Sequence, residues 1–307
     1  MFVSFPRGLL LAAAALVAVP TPVIASKPAS IVSPSLRQME HVSIEVLGTT
    51  GSPVIFIPGL SSPREAWRPA AGKLASSHRV YLVQVNGFGG DDPRANLRPG
   101  ILNGIVGDVS KFIRDQRLAA PAVVGHSMGG LVGLMMAARH PESVGRLMVV
   151  DALPYFGVLA ALPGTEVTVA MVEPRAAKMR DAVAASYGKK PDPVAIETNI
   201  AGMTMREANR PALRAWAASS DPRVAAQAMY EDLTTDMRPE LSKVRIPTTV
   251  LYAWNQSYPR KEPGQAFFRQ QYAQLSGVRV IEVGESAHFV MLDQPQAFQE
   301  ALAEFLK

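Results

Sequence analysis

Residues 122–131 read Ala122-Val123-Val124-Gly125-His126-Ser127-Met128-Gly129-Gly130-Leu131. A short apolar strand pattern runs straight into Gly-His-Ser-Met-Gly, and an apolar helix pattern follows at once. A serine at such a strand-to-helix bend needs small residues two before and two after it, because the sharp turn brings neighbouring backbone close. Gly125 and Gly129 meet that need. The bend lifts the Ser127 hydroxyl above the carboxyl edge of a sheet. It also aims the Met128 amide and the helix N-terminus at the spot where an oxyanion would develop. Ser127 is thus the candidate nucleophile and Met128 a candidate oxyanion donor.

A serine hydroxyl is a weak nucleophile and needs a base within hydrogen-bond reach. The chain has five histidines. His126 is turned away by the bend and should pack beneath it, His140 precedes Pro141 at a helix end, and His41 and His78 lie in the early strand region. His288 follows the last strand pattern in Gly284-Glu285-Ser286-Ala287-His288, at the same sheet edge as the bend, and is the candidate base.

The third member of such a set is an acid that holds the imidazole in the right tautomer. Two strand ends compete for it. After the strand at 248–253 the chain reads Trp254-Asn255-Gln256, so Asn255 stands where a carboxylate is usual; it can orient an imidazole without supplying charge. Asp151 ends the preceding strand and is the favoured acid, with Asn255 as the alternative. Asp293 is expected to cap the final helix ahead of Pro295, and Glu285 to be a solvated loop residue. A second oxyanion donor is expected from Pro58-Gly59-Leu60-Ser61, where the glycine lets backbone approach a substrate and leaves the Leu60 amide as donor. The turn Asn86-Gly87-Phe88-Gly89-Gly90 lacks the lysine and spacing of a nucleotide loop.

Around these motifs, strand patterns near 42–47, 53–57, 79–85, 122–124, 146–150, 248–253 and 278–283 alternate with helix patterns near 65–76, 102–116, 128–139, 263–275 and 295–305. That alternation predicts an α/β fold, a mainly parallel sheet flanked by helices. Between 152 and 243 the strand signal lapses, and a proline-punctuated, Ala- and Met-rich stretch should form short helices of an inserted cap. Its methionines at 171, 179, 203, 205, 229 and 237 are expected in helix packing or pocket lining. Tyr155, Phe156, Leu159 and Trp216 are candidates for an apolar pocket under that cap. The core is thus expected at 41–151 and 244–307.

At 307 residues, 48% hydrophobic and 19% charged, the chain can bury a large core. Lysine and arginine outnumber acids 31 to 26 but are scattered, without the basic stripe that nucleic-acid binding needs. The absence of cysteine excludes disulfides, thiolate metal sites and thiol nucleophiles. Residues 1–25 hold Arg7, an apolar run at 9–19 and a small-residue end at Ala25, the form of a secretory signal, followed by a linker at 26–40. The run is shorter than the roughly 20 residues of a spanning helix, which disfavours a retained anchor. An exported protein, periplasmic or secreted, with no stable membrane span is expected.

These motifs together resemble the α/β-hydrolase superfamily. Phe56-Ile57-Pro58-Gly59-Leu60 is similar to its oxyanion loop, Asn86-Gly87-Phe88-Gly89 to its Pro-Gly-Phe-Gly turn, Gly125-His126-Ser127-Met128-Gly129-Gly130 to its nucleophile elbow, and the stretch from Ala287 to Pro295 to its terminal histidine segment. The resemblance is closest to cap-bearing esterases and lactonases. It implies a serine hydrolase acting on a small-molecule ester without metal or organic cofactor. A serine at the elbow argues against haloalkane dehalogenases and epoxide hydrolases, which use a carboxylate there. Lactone, amide or carbon–carbon bond hydrolysis, acyl transfer, and a non-catalytic ligand-binding role on the same fold remain open at this point.

Overall fold

The computed structural model describes residues 35–160, 165–190, 192–256 and 261–307. The expected leader at 1–25 and the first part of the linker lie outside the described residues, as do Pro163 and Pro191. Contacts divide the chain into residues 1–33 and 34–307, and all the described residues belong to the second unit.

Eight strands form one sheet: β1 (Ser35–Gln38), β2 (Val42–Leu47), β3 (Pro53–Ile57), β4 (Arg79–Val85), β5 (Ala122–His126), β6 (Arg146–Val150), β7 (Thr248–Ala253) and β8 (Arg279–Val283). Their order is β1-β2-β4-β3-β5-β6-β7-β8, antiparallel from β1 through β2 to β4 and parallel from there on. The central strands are near-continuous apolar runs because both faces are covered. In β3, Ile55 and Ile57 face one core layer with Val109 and Leu131, whereas Val54 and Phe56 face another with Trp67, Phe298 and Leu302. That period of two sorts the helices into layers. Helices α2 (Ile101–Asp115), α3 (Met128–Arg139) and α8 (Lys261–Gln271) cover the first face, and α1 (Arg68–Leu74) and α10 (Pro295–Leu306) the second. The short helix α9 (Val290–Asp293) precedes α10.

Between β6 and β7 lie 3-10 turns at Phe156–Ala160, Glu207–Asn209 and Arg238–Lys243, with helices α4 (Val169–Ala184), α5 (Pro193–Ile200), α6 (Arg210–Ala218) and α7 (Pro222–Thr234). Helices α5 and α7 each start with proline at the first turn, where its missing N–H is harmless, behind an Asp192 or Asp221 side chain that accepts a backbone N–H. Helices α4 and α7 pack on one another.

The structure differs from the sequence expectations at four places. Residues 35–38, assigned to the linker, form β1; all four are exposed on an edge strand, so no apolar alternation marks them. The helix expected at 65–76 is a 3-10 turn (Arg64–Trp67) followed by α1, because Pro69 belongs in a first helical turn rather than an interior. Pro174 does not break the insertion but sits inside α4. Met171, Met179 and Met205 are exposed, whereas Met237 is buried.

Candidate active site

The elbow is built by close backbone approach. A Cβ on Gly125 would stand 2.1 Å from the Gly129 carbonyl oxygen, and one on Gly129 would stand 2.3 Å from that of Ile57. Only glycine fits either place, and Ser127 between them adopts φ 52°, ψ −126°, a conformation that side chains rarely occupy. The Ser127 N–H donates to Val150 O at 3.0 Å.

Because His126 pairs with Val150 in the parallel ladder, the next residues, Ser127 and Asp151, leave adjacent strand ends. Asp151 also has positive φ, 46°. Its N–H donates to Leu251 O at 2.7 Å, and its Oδ1 accepts from the Ala253 N–H at 2.9 Å. Its Oδ2 lies 2.7 Å from His288 Nδ1. A carboxylate on Nδ1 directs the proton to that nitrogen and leaves Nε2 to act as base. The Ser127 hydroxyl itself makes no hydrogen bond among the described residues. Such bonds commonly tighten only when substrate binds.

Asn255, also buried, donates from Nδ2 to Ser286 O at 3.0 Å and so holds the backbone of the histidine loop. The same loop is held by Ser286 N–H to Trp254 O (3.2 Å) and Phe289 N–H to Met203 O (3.0 Å). Asp293 is not the cap of α10, which has no side-chain cap; it is fully buried and accepts the Ala287 N–H at 2.9 Å. Pro295 at the start of α10 brings no N–H to that end, so the carboxylate turns to inward donors instead. Glu285 is exposed, as expected.

His126 does pack beneath the elbow, and it also does something the sequence did not reveal. Its Nε2 donates to the His288 carbonyl at 2.9 Å, with the two rings 4.5 Å apart. Burial, and then the neighbouring His288, hold its pKa well below the usual imidazole range, so it is the neutral donor. Tyr272 was likewise missed. Its hydroxyl donates to Ala152 O at 2.9 Å just past the acid, and burial followed by the Asp151 charge pushes its pKa well up.

The turn after β3 closes through Ser62 N–H to Gly59 O (3.1 Å), with Ser61 at φ 54°. That pattern leaves the Leu60 amide out of the turn's own bond. A Cβ on Gly59 would stand 3.0 Å from Ser127 Cβ, so the turn lies against the elbow. The glycine-rich turn after β4 seats the insertion: Gly90 N–H donates to Ser219 O and Asp221 N–H to Gly87 O, both at 2.7 Å.

Of the four expected pocket residues, Trp216 comes near the histidine, packing on Phe289 at 5.9 Å. Tyr155 is fully buried in a cluster with Val167, Val172 and Ala176, beneath the Arg238 guanidinium at 4.6 Å. Phe156 joins the main core, and Leu159 is 55% exposed. Tyr155 thus belongs to a small core of the insertion's own, which helix packing fills. Among the described residues, no cluster of His, Asp and Glu is arranged to hold a metal ion, and no helix is long and apolar enough to cross a membrane.

The description of the alpha/beta hydrolase family matches residues 54–301. The chain belongs to that family. Among curated relatives of this hydrolase-family member, ethanol acetyltransferase 1 of Kluyveromyces lactis is 29% identical over 33% of this chain and 27% of its own length. Pimeloyl-(acyl-carrier protein) methyl ester esterase of Aeromonas hydrophila is 25% identical over 86% of this chain and 99% of its own. The matches span 27% to 38% of the length of the first three curated relatives. A thermophilic esterase from Thermogutta terrifontis superposes with TM-score 0.71 at 19% identity, covering 89% of this chain and 98% of that one. The enol-lactonase from Burkholderia xenovorans LB400 gives 0.68 at 18%, covering 86% and 96%. At those identities the likeness shows the fold alone.

Proposed function

We propose that this protein is a serine hydrolase that cleaves carboxylic esters of small or medium apolar substrates through an acyl-enzyme. The observation that carries the reading is the 2.7 Å contact between His288 Nδ1 and Asp151 Oδ2, one strand from a serine in a strained elbow. His288 Nε2 takes the Ser127 proton as Oγ bonds to the ester carbonyl carbon, and the amides of Leu60 and Met128 stabilise the resulting oxyanion. Collapse breaks the acyl carbon–oxygen bond, and His288 returns the proton to the departing alkoxide. Water, deprotonated by His288, then adds to the acyl carbon, and the acid leaves as Ser127 is reprotonated. Trp216 and Phe289 line the apolar side of this space. No metal or organic cofactor enters these steps. The leader at 1–25 supports export, which N-terminal sequencing of the mature protein tests.

A fluorophosphonate probe should label the protein at Ser127 and fail to label Ser127→Ala. Asp151→Asn should lower turnover of p-nitrophenyl butyrate roughly 10,000-fold, because the wrong imidazole tautomer then faces the serine. An unlabelled wild-type protein, or a near-normal rate in Asp151→Asn, sinks the reading. Profiling p-nitrophenyl esters against lactones assigns the substrate class.

A further inference from the structure

The residues on either side of His288 are both tied to one short stretch of the insertion, Phe289 directly and Ala287 through Asp293. The Phe289 N–H donates to Met203 O at 3.0 Å. On the other side, the Ala287 N–H donates to Asp293 Oδ2 at 2.9 Å, and the same oxygen accepts the Met205 N–H at 2.9 Å. The second oxygen of Asp293 accepts from the Thr204 hydroxyl and, at 3.3 Å, from Asn209 Nδ2. Asp293 is fully buried and forms no ion pair among the described residues. A buried carboxylate without a counter-charge is tolerated only where several donors converge on it, and here four do. Three of the four come from residues 204–209 of the insertion and one from the histidine loop.

We propose that Asp293 is a positioning residue that joins the insertion to His288, so that seating of the cap sets the alignment of the base. The tilted packing of Trp216 of α6 on Phe289, 5.9 Å between ring centres, adds an apolar contact between the same two parts. A plain structural latch would hold the fold together without bearing on the imidazole. A positioning residue acts on the His288–Asp151 hydrogen bond, which a shift of the loop by a fraction of an ångström lengthens. The proposal rests on His288 being the base of a serine hydrolase.

Two variants test it. Asp293→Asn keeps the size but turns one oxygen into a donor facing other donors, and Thr204→Val removes a single hydroxyl from the insertion side. In folded protein, Asp293→Asn should lower kcat for p-nitrophenyl butyrate about 10-fold to 100-fold while KM stays within about 3-fold. The downfield proton resonance of His288 Nδ1 should broaden or move. Thr204→Val should shift both readouts in the same direction by a smaller amount, and it decides the matter if Asp293→Asn does not fold. Wild-type kcat and an unmoved resonance in Thr204→Val and in folded Asp293→Asn, even with a lowered Tm, would make Asp293 a latch and overturn the proposal. A wild-type protein that neither turns over the ester nor reacts with a fluorophosphonate removes the hydrolase reading, and the coupling with it. An active wild type with unaffected variants removes the coupling alone.

Discussion

Asp151 uses both carboxylate oxygens, one on the backbone of β7 and one on the imidazole, and it does so from a left-handed backbone conformation. Asn255 stands where the neighbouring strand would ordinarily offer an acid, and its Nδ2 donates to Ser286 O at 3.0 Å. Asn255→Asp would set a carboxylate oxygen against that carbonyl in a buried place. The expected result is a loss of about 2–4 kcal/mol in unfolding free energy by urea titration, with no gain in turnover. A faster enzyme of unchanged stability would show that this position can take over the acid's role. The sequence favoured Asp151 but left Asn255 as an alternative, because both follow a strand of the same parallel sheet. Which one reaches Nδ1 depends on the path of the loop after β8, and no local pattern encodes that path.

Helix α2 begins at Ile101 behind Gly100, which has φ 98° and no side chain to cap the helix. The cap comes from the insertion instead: Glu231 of α7 accepts the Gly100 N–H at 2.7 Å and the Leu102 N–H at 2.9 Å. An anionic cap at a helix N-terminus satisfies orphan donors and complements the dipole. Glu231→Gln should cost about 1 kcal/mol and Glu231→Ala somewhat more, with faster hydrogen exchange confined to the first turn of α2. Unchanged exchange there would mean that solvent caps the helix equally well. Elements were readable where burial imposes a period: the buried residues of α2 recur along one face, and β3, β4, β6 and β7 match their apolar runs. They were not readable where burial is absent, as in the wholly exposed β1, or where a distant side chain supplies the cap, as Glu231 does.

Stability against pH belongs to the whole molecule. Asp232 of α7 is buried, and burial pushes its carboxyl up to about 8. An unfolded aspartate titrates near 3.8. Between these values the native protein holds a proton that the unfolded chain releases, so stability falls as pH rises through this window and levels off above it. Asp232→Asn should flatten that fall, seen as a smaller difference in Tm between pH 5 and pH 8 than in wild type. An identical difference would mean that the carboxyl is already ionised in the native state.

At the same scale, the places of Ser127 at the bend after β5, of His288 beyond β8, of the turn after β3 and of the sheet were legible because each rests on a local motif beside a strand. The tethers on the base were not. His126, Tyr272 and Asp293 act through contacts between residues far apart in the chain.

With the carboxylate one strand inward, the insertion departs from the very residue whose side chain meets the imidazole. Lengthening or trimming the first residues of the insertion therefore tugs on that contact, while β7 carries no acid at its tip. A change of chain length directly after Asp151 would displace the group that His288 Nδ1 meets at 2.7 Å.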